Sequence, residues 1–146
     1  MTTSFPFIVS YELGDWELEP VLDQPHCINM SEQHKQAWLA NLRSGNFDQT
    51  DCVLYDARRN AYCCLGVLEQ TVCGEVESGS FPSVDWLQKH NICFIQETLP
   101  EVGGHDPQFF VLKDGERWHT SASDLNDRGV PFSVIADILE PLIKTD

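Results

Sequence analysis

Positive charge is what this chain has least of. Nine Lys and Arg stand against 23 Asp and Glu, a formal net charge of −14, and no Lys or Arg occurs before Lys35. Glu12, Asp15, Glu17, Glu19, Asp23 and Glu32 all fall in that cation-free stretch. A surface this negative repels phosphate backbones, which argues against direct nucleic-acid binding and leaves solubility or a basic partner as its use. Long apolar runs are missing too. No stretch approaches the ~20 residues of a spanning helix, and no charged n-region followed by an apolar core opens the chain. The expectation is a soluble, cytoplasmic protein without membrane contact. Internal repeats and low-complexity tracts are also absent.

The six cysteines lack the spacing that metal or redox chemistry asks for. A structural zinc site wants close pairs such as C-x₂-C, and a thioredoxin-like site wants C-x-x-C. Here Cys63 and Cys64 are adjacent, and the others stand nine or more residues away from them. Read as strand neighbours, Cys63 and Cys64 point to opposite faces and cannot chelate together. No signature links any of the five histidines to a cysteine, and an acidic chain is a poor setting for a thiolate. Without an export signal the thiols read as reduced. Cys64 is expected as a small core hydrophobe, and Cys63 as partly exposed or in a second cluster. No metal, cofactor or catalytic residue follows.

What is present suffices for one domain. A chain of 146 residues with 42% hydrophobic content can bury about two thirds of its unfolded surface. The segment "FPFIVSYELGDWELE" (5–19) alternates like a hairpin, with Gly14-Asp15 as a two-residue turn. That register pairs Leu13 with Trp16, Tyr11 with Leu18, and the like charges Glu12 and Glu17, which belong on a solvated face. Residues 20–30 show no period and read as a connection. "SEQHKQAWLANLRS" (31–44) predicts a helix capped by Asn29 or Ser31, with His34, Trp38 and Leu42 on one face, Ala37 beside them and Gly45 ending it. Residues 50–65 predict a second hairpin, passing into a helix of Leu65, Leu68 and Val72 that Gly74 stops.

Ser83 caps a short predicted helix, and "ICFIQE" (92–97) predicts a strand. "QFFVLKDGERWHT" is the clearest hairpin: Asp114-Gly115 sets Lys113 opposite Glu116 and Val111 opposite Trp118, with Phe110, Leu112, Arg117 and His119 on the other face. Ser121 with Asp124 predicts a capped helix ending near Arg128, with Gly129 just past its end. Pro131 opens a last helix with an apolar stripe of Phe132, Ile135, Ile138, Leu139 and Leu142, which Pro141 ends or kinks. The fold class expected is α+β: a twisted antiparallel sheet built from hairpins, with three to five helices mainly on one face.

"AWLANLRSGNFDQ", "YCCLGVLEQ" and "DLNDRGVPFSVIADILE" together resemble a widespread family of small bacteriophage and prophage proteins in order and approximate spacing. The resemblance implies an origin and no mechanism. It divides the single domain into an N-terminal extension, 1–30, that carries the acidic hairpin, and a family-like body, 31–146.

The C-terminal helix pair has the outline of a helix-turn-helix, but its second helix offers Ser133, Asp137, Glu140 and Lys144. Two acids among these four polar positions speak for packing against other helices. Polar residues at element ends, Arg43, Gln49, Tyr62, Asn126 and Asp127, are the candidate ligand site. Arg, Tyr and Asn together can hold a small anionic, nucleotide-like molecule by charge, stacking and base-edge bonding. Each also has a plain structural use: Arg43 at a helix C-terminus, Asn126 and Asp127 in a turn. Glu12, Glu17 and Glu19 are the candidate contacts for a host protein. The functional expectation is a phage-type accessory protein that binds a host protein or a small ligand. An acidic DNA mimic is the alternative, and a thiol- or zinc-dependent enzyme ranks behind both.

Overall fold

The computed structural model describes residues 5–11, 14–95 and 104–145. Its order is β1 (Phe7–Tyr11), β2 (Gly14–Pro20), β3 (Ile28–Met30), α1 (Glu32–Arg43), β4 (Asp48–Gln49), β5 (Tyr55–Asp56), β6 (Ala61–Tyr62), α2 (Cys64–Cys73) and α3 (Val84–Lys89). Then come β7 (Cys93–Phe94), β8 (Gln108–Lys113), β9 (Glu116–Ser121), α4 (Ala122–Asp127), α5 (Phe132–Leu139), a 3-10 turn (Glu140–Leu142) and β10 (Ile143–Thr145). The class is α+β. No helix among the described residues is long and apolar enough to cross a membrane.

The strands form three sheets rather than one. The largest is antiparallel, in the order β1-β2-β8-β9. The other two, β10-β3-β7 and β4-β6-β5, each contain one parallel pairing, β10 with β3 and β4 with β6. In the large sheet Val9, Trp16, Leu18, Phe109, Val111 and Thr120 are buried, while Ile8, Ser10, Asp15, Glu17, Arg117 and His119 are exposed. The period-2 alternation therefore puts one face on the core and one in water. The β8–β9 hairpin has the expected register, and its turn has positive φ at both Asp114 (52°) and Gly115 (85°), as a type I′ turn requires.

The first hairpin turns two residues earlier than expected. Tyr11 pairs with Gly14, Val9 with Trp16 and Phe7 with Leu18, while Glu12 and Leu13 lie outside the described residues. An even shift keeps the same residues on the core face. It sets Glu17 opposite Ile8 instead of opposite Glu12, avoiding a like-charge pair, and lets the Ser10 hydroxyl donate to Asp15 at 2.8 Å.

Two further differences come from partners distant in sequence. Residues 20–30 are not all connection, because Ile28–Met30 pairs with β7 and β10. Helix α5 ends ahead of Pro141, Leu142 lies in the 3-10 turn and not on the helix, and Ile143–Thr145 is a strand paired with β3. Of the second hairpin only Tyr55–Asp56 and Ala61–Tyr62 pair antiparallel; Asp51–Leu54 bend, with Cys52 at φ 66°. Of the predicted strand 92–97, Cys93–Phe94 is observed, and 96–97 fall outside the described residues. On α1 the residue that flanks Trp38 and Leu42 in the core is Leu39, and Ala37 is exposed. Ser31, not Asn29, caps that helix, its hydroxyl accepting from the His34 N–H at 3.1 Å. Pro131 stands at the cap of α5, one residue ahead of its first turn.

The core runs between the inner face of the large sheet and the helices. α1 packs on α2 and α5, and α4 joins α2 to α5. Trp38 is fully buried, and its indole N–H donates to the Cys64 carbonyl at 3.0 Å, tying α1 to the start of α2. Gly66 lets α2 press against the 50–54 segment, because a Cβ there would stand 1.8 Å from the Leu54 carbonyl oxygen.

Candidate functional site

Cys63 is no strand residue. It is the N-cap of α2, and its sulfur accepts from the Gly66 N–H at 3.4 Å. It is buried beside Cys64, so the expectation of partial exposure or a second cluster is corrected: both belong to the single core. Burial pushes the Cys63 thiol up to about 11, and that of Cys64 well above its ordinary value. At neutral pH both are protonated packing groups. Among the described residues no cluster of His, Cys, Asp or Glu is arranged to hold a metal ion.

The five candidate ligand residues separate. Gln49, Asn126 and Asp127 meet at an open cleft of about 250 Å³, together with Asp51 and Arg59. Asn126 is buried in its wall and fully used. Its Nδ2 donates to the Thr50 carbonyl at 2.8 Å, and its Oδ1 accepts from the Cys64 N–H at 3.1 Å and from Gln49 Nε2 at 3.0 Å. Gln49 also donates to the Val130 carbonyl at 2.8 Å, and Asp127 accepts from the Cys52 N–H at 3.0 Å. These bonds join α4, the start of α2 and β4. Two carboxylates against one guanidinium make the cleft a poor receiver for an anion.

Tyr62 lies beside this cleft without lining it. Its ring packs against Phe47, 5.2 Å between centroids, and Tyr55, 4.8 Å. Arg43 stands elsewhere. Its guanidinium reaches Asp137 and Glu140, both at 2.5 Å, and so links the end of α1 to α5. Arg43, Gln49 and Asn126 are thus engaged in bonds between elements, and Asn126 lies within α4 rather than in a turn.

The partner candidates Glu17 and Glu19 lie on the outer face of β2, with Asp15 in line. Asp15 and Glu17 are exposed; Glu19 is half-buried opposite Leu112. Glu12 lies outside the described residues. The exposed Asp114 and Glu116 continue this edge at the neighbouring turn, where Asp114 accepts from the Glu17 N–H at 2.8 Å. Lys113 does not neutralise them. Its ammonium sits 4.8 Å from the Trp16 ring centroid and 5.2 Å from that of Trp118.

His26 lies in an aperiodic connection that carries no sequence signal. Phe110, Arg117 and His119 share one strand face, and residues 24–27 line a cavity with them. Strand alternation carried the signal for that face; the covering segment had none.

Residues 30–143 match the family described as Domain of unknown function (DUF8296). The chain belongs to this family. The match takes in α1, the Cys63–Cys64 segment and the α4–α5 pair, and leaves the β1–β2 hairpin outside. No curated protein and no solved structure matches the chain.

Proposed function

We propose that the protein is a phage-type accessory protein that works inside the host cell by binding, and that its target is a basic protein met by the acidic outer face of β2. One observation carries the reading. The outward residues Asp15, Glu17 and Glu19 are all acidic, on a sheet face open to water. None of the three is among the ion pairs of the described residues. Such a row raises the encounter rate with a cationic surface and repels acidic competitors. The motifs around Arg43, Cys63–Cys64 and Asn126 support the phage origin. The hydrogen-bonded positions of those residues favour a scaffold over a catalytic centre.

The test compares the proteins retained from host lysate by the wild-type chain and by an Asp15→Lys, Glu17→Lys, Glu19→Lys variant, quantified by mass spectrometry. A basic partner is expected on the wild type alone, and raised salt is expected to release it. Equal retention by both proteins would sink the reading.

A further inference from the structure

β2 leaves the large sheet at Pro20, its last pair being with Val111. Below that point no strand among the described residues lies on the β2 side of β8, and a side chain takes its place. Gln24 Nε2 donates to the Phe110 carbonyl at 2.8 Å, while its Oε1 accepts from the Phe110 N–H at 2.9 Å. A third bond, from Nε2 to the Val21 carbonyl at 2.8 Å, fixes the amide. Residues 24–27 are thereby held beside β8. Between them, Ile95 and the β8–β9 hairpin lies a cavity of about 520 Å³, about twice the volume of the Gln49–Asn126 cleft.

The lining of this cavity inverts the character of the protein. In a chain with 23 acidic residues, no Asp or Glu among the described residues lines it. Arg117, His119 and His26 do. Arg117 and His119 flank Phe110: the guanidinium carbon lies 4.8 Å from the ring centroid, and the imidazole meets the ring edge-on at 5.2 Å. The Arg117 side chain is 50% exposed, and its carboxylate partner, Asp23 at 3.5 Å, is 89% exposed. A pair so wet is weak and easily exchanged for another anion. Gln108 and His26 add groups able to bond heteroatoms on a ring. Cys27, also in the wall, adds no charge, because burial pushes its thiol up to about 12.

We propose that this cavity is a binding site for a small aromatic anion, a flat ring carrying a phosphate or carboxylate, independent of the acidic face of β2. The anionic group displaces Asp23 from Arg117 and takes bonds from Arg117 and His119. The ring rests against Phe110 and Ile95, where stacking and apolar burial add to the charge contact.

Matched naphthalene probes test this on the full chain, with affinity and site both read from amide and imidazole NMR shifts. 1-Naphthyl phosphate and 1-naphthoate are set against 1-naphthol, inorganic phosphate and 1-naphthylmethylamine. The expected result is that one or both aromatic anions bind at least about tenfold tighter than the other three, the amine weakest. The stronger of the two names the anionic group. Shifts are expected at Phe110, His119 and His26. Arg117→Ala is expected to weaken the aromatic anions by about tenfold and leave naphthol unchanged, with Arg117→Lys in between. The proposal is overturned if naphthol, phosphate or the amine binds as tightly as the aromatic anions. Shifts confined to residues outside β8, β9 and the 24–27 segment, or no binding by any probe at millimolar concentration, overturn it as well.

Discussion

Glu69 is the one acidic side chain among the described residues that the fold buries completely. It lies in α2, where Oε1 accepts from the Glu77 N–H at 2.8 Å and Oε2 has no partner. Burial first, and the nearby Glu77 carboxylate second, push its acid up to about 7 from 4.5. Burial also acts on Glu77, but bonds from the Ser83 N–H and hydroxyl hold that carboxylate below its ordinary range. Glu69 is therefore the member of the pair that keeps the proton. The folded state binds that proton more tightly than the unfolded chain does. Its stabilising effect is complete below about pH 4.5 and is lost as pH rises through about 7. Glu69→Gln keeps an acceptor for Glu77 and removes the charge. Chemical denaturation across pH should show the variant more stable than wild type at pH 8 by about 1–3 kcal/mol, the curves converging near pH 4. A constant difference at all pH values would mean that Glu69 does not titrate in this range.

Among elements, the junction of α4, α2 and β4 depends on one side chain. Asn126 supplies both a donor and an acceptor to backbone groups 76 and 62 residues away. Truncation leaves the Thr50 carbonyl and the Cys64 N–H without partners inside the core, and such orphaned groups cost more than the bonds themselves are worth. Asn126→Ala is expected to lower unfolding free energy by about 2–4 kcal/mol, and Arg43→Ala, whose ion pairs are partly open to water, by about 1–2. Urea denaturation of the two variants gives the comparison, and an Asn126 effect smaller than that of Arg43 contradicts it. Asn126 was legible in the sequence as a residue that matters and illegible as to why. A polar residue at a helix end has the same sequence signature whether it binds a ligand or joins two helices. The same limit explains the strands. β8–β9 could be read to the residue, because Asp114-Gly115 and a period of two are local signals. β3 and β10 are three residues each, and they exist because they pair with each other across more than a hundred positions. The cavity was half legible. Its Phe110–Arg117–His119 face follows from strand alternation, and its cover follows from a glutamine amide that completes a sheet edge.

At the scale of the whole molecule, its own charge has the largest effect. A net of −14 on one domain sets carboxylates against one another over distances that little salt can screen. Salt also weakens attraction, but here there is little to weaken. Only four ion pairs join the described residues, and the Arg43–Asp137 contact, the most buried of them, is the least sensitive. Repulsion therefore dominates the salt response. The melting temperature should rise by a few degrees between roughly 10 and 200 mM NaCl, as the Debye length falls from about 30 Å to below 10 Å, and then level off. Two reversals on the sheet face, Asp15→Lys and Glu17→Lys, add two charges each and bring the net from −14 to −10. Both positions are exposed, so the change is electrostatic and leaves packing alone. The double variant should melt higher than wild type at 10 mM salt and show a shallower rise, the two proteins approaching each other at 200 mM. A melting temperature that falls with salt would show that attraction between charges, and not repulsion, governs the fold. A double variant no more stable at low salt would show that the acids of β2 are already met by cations, and would remove the physical basis for a cationic partner at that face.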